Sequence, residues 1–193
     1  MNNNKVKKMA GIAIFSAIIV ALQLFSNYIT FGPVSITLAL APIAIGAIIY
    51  GPLAGIFLGL IHGVMVIIAP STLATFMPYS AIGTILVCLL KSGLAGLISG
   101  LLFKYLKKIN TTLAIILASV IIPIVNTGLF AISCLTIFLP LLETFYKSSD
   151  SANIYSYLFL VFIGFNFIIE FVINSALSPT IIRLTSLHEK LKN

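Results

Sequence analysis

Polar side chains are rare along this chain, and in its last long apolar run they return with a period. Asn166, Glu170 and Asn174 recur every four residues within Ile154–Leu184. At about 100° per residue this spacing puts all three on one face of a helix. A spanning helix needs about 20 apolar residues. On that ruler the chain divides into six segments, at about 9–25, 36–50, 53–69, 79–105, 112–139 and 154–184. The fold expected is one domain over residues 1–193, an all-α integral membrane protein of six transmembrane helices. The second segment is short, so it packs among its neighbours or crosses only part of the hydrocarbon core. A carboxylate in mid-membrane costs roughly 3 kcal/mol on insertion scales unless it meets a partner or a water-filled cavity. The stripe is therefore read as facing inward, either as polar glue between helices or as the wall of a site.

Composition supports the membrane reading: 60% of residues are hydrophobic, 8% are charged and the mean hydropathy is +1.19. An ordinary soluble domain is excluded. The net charge of +7 does not point to nucleic acid, because the basic residues fall at the ends of apolar runs rather than in a patch with interleaved aromatics. Lys5, Lys7 and Lys8, then Lys104, Lys107 and Lys108, then Arg183, Lys190 and Lys192 all lie on one side if the number of spans is even. The positive-inside rule makes that side, and both termini, cytoplasmic. The first three lysines imitate a signal peptide, but five further apolar segments follow, so the first run reads as a retained helix. Cys88 and Cys134 lie inside apolar segments and read as small buried residues rather than a disulfide. The outer connections, 26–35, 70–78 and 141–153, are long beside the minimal Tyr50-Gly51-Pro52 turn, which points to a site opening outward.

The sequence holds no phosphate-binding glycine loop, no metal-spaced His and Cys cluster and no serine nucleophile elbow, so neither catalysis nor a metal is expected. His62 is read as an interhelical hydrogen-bonding residue. Three polar rows are candidates to converge: Thr84, Cys88, Lys91 and Ser92 on the fourth helix, Asn126 and Thr127 after Pro123 on the fifth, and the stripe on the sixth. Lys91 and Glu170 form the single ionisable pair deep in the membrane, at similar depth. They are either a structural ion pair or a pocket floor, with Lys91 offered to a ligand carboxylate and Glu170 accepting hydroxyl or amide hydrogens. Tyr28, Phe31, Phe76 and Tyr79, beside the outer loops, are interfacial anchors or lid residues. The candidate ligand-binding set is thus Asn166, Glu170, Asn174, Lys91, Asn126, Thr84, Tyr28 and Phe76.

In the first segment Ala13, Ala17 and Ala21 repeat every four residues, a small-residue face that lets another helix approach closely. With the Tyr-Gly-Pro-Leu-Ala-Gly turn at Tyr50 to Gly55 and both ends inside, the chain resembles, over almost its whole length, the substrate-binding S components of energy-coupling factor (ECF) vitamin transporters. The resemblance implies that Ala13, Ala17 and Ala21 dock on a membrane coupling protein driven by two cytoplasmic ATPases. ATP would be hydrolysed by those partners, with no cofactor on this chain. It also implies a bacterial plasma membrane, and capture of a vitamin from outside, under the first, third and fifth loops. With no tryptophan, the chain is unlike the thiamine-binding members, whose sites resemble aromatic cages. A cation at Lys91 favours an anionic vitamin such as pantothenate, with riboflavin, folate, a cobalamin or a niacin-like compound open. The alternatives are a self-sufficient carrier or channel using a Lys91/Glu170 relay, a structural subunit, and an intramembrane enzyme, for which no nucleophile and base stand at recognisable spacing.

Overall fold

The computed structural model describes residues 3–31, 34–35, 37–149 and 151–190. Ile36, where hydropathy starts the second helix, and the side chains of Phe31, Arg183, Lys190 and Lys192 lie outside the described residues. Helices occupy all six apolar runs: α1 (Asn3–Ser26), α2 (Leu40–Tyr50), α3 (Pro52–Ile67), α5 (Ala81–Leu106), α6 (Thr111–Thr136) and, for the last run, α8 (Ile154–Ser156), a π-helical stretch (Tyr157–Phe162) and α9 (Gly164–Lys190). The connections hold α4 (Pro70–Thr75) and α7 (Leu139–Lys147). A two-residue hairpin follows α1, with β1 (Thr30–Phe31) antiparallel to β2 (Val34–Ser35).

Three helices are long and apolar enough to cross a bilayer: α1 over Lys5–Ser26, α5 and α6. Ile154–Phe162 and Gly164–Leu177, bent by 41°, make a fourth if taken as one broken span. At 1.5 Å per residue the 11 residues of α2 and 16 of α3 extend only about 16 and 24 Å, against a core of about 30 Å. Crossing there requires local thinning or tight packing among neighbours. α2 has that packing, with eight residues buried, and it touches α1, α3, α5, α6 and α9.

The sequence expectation of one continuous last helix is corrected. The run passes through a π-helical stretch and breaks at Ile163–Gly164, where a Cβ on Gly164 would strike the Phe159 carbonyl. The break turns Phe162 and Ile163 inward while α9 starts on a new axis carrying Asn166, Glu170 and Asn174.

Elsewhere local chemistry sets the ends. Gly51 joins α2 to α3 at φ +94°, which a side chain would resist, and Pro52 opens α3 where its missing N–H costs nothing. Ser80 and Asn110 cap α5 and α6 by accepting from Gly83 N–H and Leu113 N–H. α6 runs unbroken through Pro123. The closest contact is between α3 and α5: a Cβ on Gly55, Gly59 or Gly63 would meet the carbonyl of Gly96, Ser92 or Cys88 in turn. Glycine at every fourth position removes the side chains that would hold the two backbones apart.

Successive long helices reverse direction, so the hairpin, α4 and α7 gather at one end of the bundle and Gly51 and the 107–110 turn lie at the other.

Candidate functional site

A cavity opens at the end that carries the hairpin and α4. Its walls come from the last turns of α1 and α3, from α4, from the first turns of α5, from α6 beyond Pro123 and from the start of α9. About 730 Å³ of empty space lies between them, including the mouth.

Six of the eight ligand-binding candidates line this cavity: Thr84, Lys91, Asn126, Asn166, Glu170 and Phe76. Cys88 and Thr127 join them. Two do not. Tyr28 is 88% exposed and is not part of the cavity lining. Asn174 is buried on the stripe's inward face but one turn too deep, and its Nδ2 donates to the Glu170 carbonyl at 2.8 Å. Tyr79 tilts against Phe138 outside the lining, and Ser92 is engaged elsewhere.

Glu170 and Lys91 are not the ion pair that one reading of the sequence allows. Among the described residues no Lys91 nitrogen lies within 4.0 Å of a Glu170 oxygen. The Glu170 carboxyl instead accepts from the Thr37 backbone N–H at 2.9 Å and from the Thr127 hydroxyl at 3.5 Å. The Lys91 ammonium sits over the Phe130 ring, 4.9 Å from its centroid, and has no acceptor among the described residues. Lys91 is 9% exposed, and among the described residues the group that meets its charge is the Phe130 ring face. Asn126, 3% exposed, has an Oδ1 without a hydrogen-bond partner among the described residues.

The apolar wall is aromatic but has no slot. Phe76 packs edge-on against Phe130 and Phe138, with centroids 5.6 and 5.2 Å away. Phe130 in turn stacks on Phe162. The rings fill one another's faces rather than standing apart to hold a flat ligand.

Sequence reasoning missed four polar lining residues, Gln23, Thr37, Ser71 and Thr72. Gln23 had a signal: it is the sole carboxamide inside the apolar part of α1. Its Oε1 accepts from His62 Nε2 at 3.1 Å, which leaves Nδ1 to accept from the Ser92 hydroxyl at 2.9 Å. Gln23 Nε2 donates to Asn27 Oδ1 at 3.3 Å. His62 thus ties α1, α3 and α5 together beside the cavity, the interhelical role its isolation in the sequence implies. Among the described residues no group of three His, Cys, Asp or Glu side chains is placed to hold a metal ion.

A helical membrane protein with a chamber open at one end and a buried ammonium in its wall belongs to the class that holds small solutes within the bilayer. The family model described as "ECF transporter, substrate-specific component" matches residues 7–182, and the chain belongs to that family, whose members are the substrate-binding parts of transporters. No curated protein and no solved structure matches the chain.

Proposed function

We propose that this chain is the capture subunit of an ECF importer and that its cavity takes a small anionic, largely aliphatic micronutrient, with pantothenate the best single candidate. The observation that carries the reading is Lys91, a buried cation at the cavity wall with no acceptor of its own among the described residues. A ligand carboxylate would complete it, and Asn126 and the Thr72 hydroxyl stand on the same walls to serve the rest of a polar ligand. The mutually packed Phe76, Phe130 and Phe138 favour an aliphatic body over a flavin, pterin or thiazole ring, each of which gains from a free aromatic face.

In this proposal the six helical runs all cross the membrane, both termini are cytoplasmic and the cavity end faces outward. Ala13, Ala17 and Ala21 are exposed on α1 and form the docking face for the coupling protein, whose two ATPases drive release. A carrier working alone through a Lys91/Glu170 proton relay is less well supported, because the two groups lie further apart than an ion pair and Glu170 is engaged by Thr37 and Thr127.

Uptake tests the choice. Radiolabelled pantothenate should accumulate in proteoliposomes only when this chain is assembled with a coupling protein and its ATPases and ATP is supplied. Accumulation driven by a pH gradient with this chain alone would overturn the capture-subunit reading.

A further inference from the structure

Gln23 is 2% exposed in the wall of the cavity, near the end of α1, and its carboxamide is held from both sides. Its Oε1 accepts from His62 Nε2 at 3.1 Å, and its Nε2 donates to Asn27 Oδ1 one turn further along α1. The His62 ring is fully buried, and its Nδ1 accepts from the Ser92 hydroxyl at 2.9 Å. With Nδ1 occupied as an acceptor, the ring's own proton sits on Nε2 and points at Gln23. The acceptor end of the carboxamide is therefore used up inside the protein. A carboxamide carries two N–H donors, and Asn27 takes one of them at 3.3 Å. The other has no acceptor among the described residues. Ser92 directly follows Lys91 on α5, so this lock is built beside the cation of the cavity wall. A buried donor left unmet is costly, and a solute in the cavity is placed to meet it.

We propose that Gln23 contacts the solute and helps to set its specificity, and that His62 is the positioning residue that fixes the Gln23 carboxamide as a donor toward the cavity. The site then takes an anion that carries a second acceptor, a carbonyl, hydroxyl or ring-nitrogen atom, beyond the carboxylate met by Lys91. This deepens the reading of the cavity as an anion site and rests on it. His62 touches no solute; it acts by denying Gln23 the freedom to turn its carboxamide over. The role differs from that of an interhelical strut, which would hold α1, α3 and α5 together without regard to what the cavity contains.

The test is a double-mutant cycle read by calorimetric titration of pantothenate into the purified full-length protein. Gln23→Met keeps the length of the side chain and removes the donor, and should weaken binding about tenfold. His62→Phe keeps a ring and removes the lock, and should weaken binding about fivefold. The double variant should bind no more weakly than Gln23→Met, because His62 acts through Gln23. Wild-type affinity in Gln23→Met would overturn the proposal, and losses that multiply in the double variant would overturn the role of His62. If His62→Phe shows no cooperative melt, Ser92→Ala takes its place. It leaves the ring but frees Nδ1, so it should weaken binding about threefold on its own and not at all in the Gln23→Met background; equal effects in both backgrounds refute the lock. Wild-type protein that binds neither pantothenate nor nicotinate would defeat the anion reading itself, whereas wild-type affinity retained by Gln23→Met defeats this inference alone.

Discussion

Replacing Lys91 with methionine separates a ligand anchor from a structural cation, because the two roles predict opposite pairs of effects. Methionine keeps much of the side-chain volume and its contact with Phe130 while removing the charge. If the ammonium meets a ligand carboxylate, truncating one side of a buried charge pair costs about 2–5 kcal/mol, or at least about 30-fold in Kd. The empty protein should change far less. It loses a cation–π contact worth up to about 2 kcal/mol and a long-range attraction to Glu170, and it is relieved of the cost of keeping a charge in a mostly buried position. These offset one another, leaving a net change within about 2 kcal/mol, or roughly 4–8 °C in Tm for a chain of this size. A structural ion pair would behave differently, since breaking one costs about 3–5 kcal/mol. The assay is thermal unfolding of the detergent-purified protein with and without pantothenate, alongside calorimetric binding. A variant that unfolds far more easily yet binds with wild-type affinity would refute the reasoning.

Three further outcomes follow from the geometry. Gly59→Ala places a Cβ against the Ser92 backbone, 2.8 Å from its carbonyl carbon, so it should cost about 1–3 kcal/mol and lower the melting temperature measurably; a neutral melt would show that α3 and α5 are not in close contact. Ala17→Trp fills an exposed position on α1 and should abolish ATP-driven uptake in the assembled importer while leaving the melting shift by pantothenate intact; loss of that shift would remove the docking assignment. Tyr28→Ala should leave pantothenate affinity within about twofold, because the ring is exposed and outside the cavity; a large loss of affinity would return Tyr28 to the site.

What the sequence made legible was mainly the inward stripe and the polar positions on the two preceding helices, because helical periodicity alone decides which residues share a face. It could not set depth along that face. Asn166 and Asn174 are eight residues apart, about 12 Å of helix, and one lines the cavity while the other bonds back into α9. The partner of Glu170 was not readable at all, since Thr37 N–H is a backbone group from the far end of the chain with no signature in residue type. The break at Ile163–Gly164 was hidden for a different reason: the π-helical stretch Tyr157–Phe162 is apolar throughout, and an unbroken apolar run reads as straight helix. The sequence left Tyr28 open between interfacial anchor and lid, because an aromatic beside an outer loop has the same composition signal whether its ring turns out to the interface or in to a ligand. The Gly55, Gly59 and Gly63 series on α3 was passed over in the sequence, although its four-residue spacing makes a small-residue face that meets Gly96, Ser92 and Cys88 on α5.

The most direct test of the central claim is mass spectrometry of the small molecules released when the purified, detergent-solubilised protein is denatured. A stoichiometric small carboxylate with an aliphatic body, present in the wild type and absent from Lys91→Met, is the result expected. A stoichiometric planar cation, or an empty wild-type protein whose melting temperature is unmoved by a panel of anionic vitamins, would contradict it.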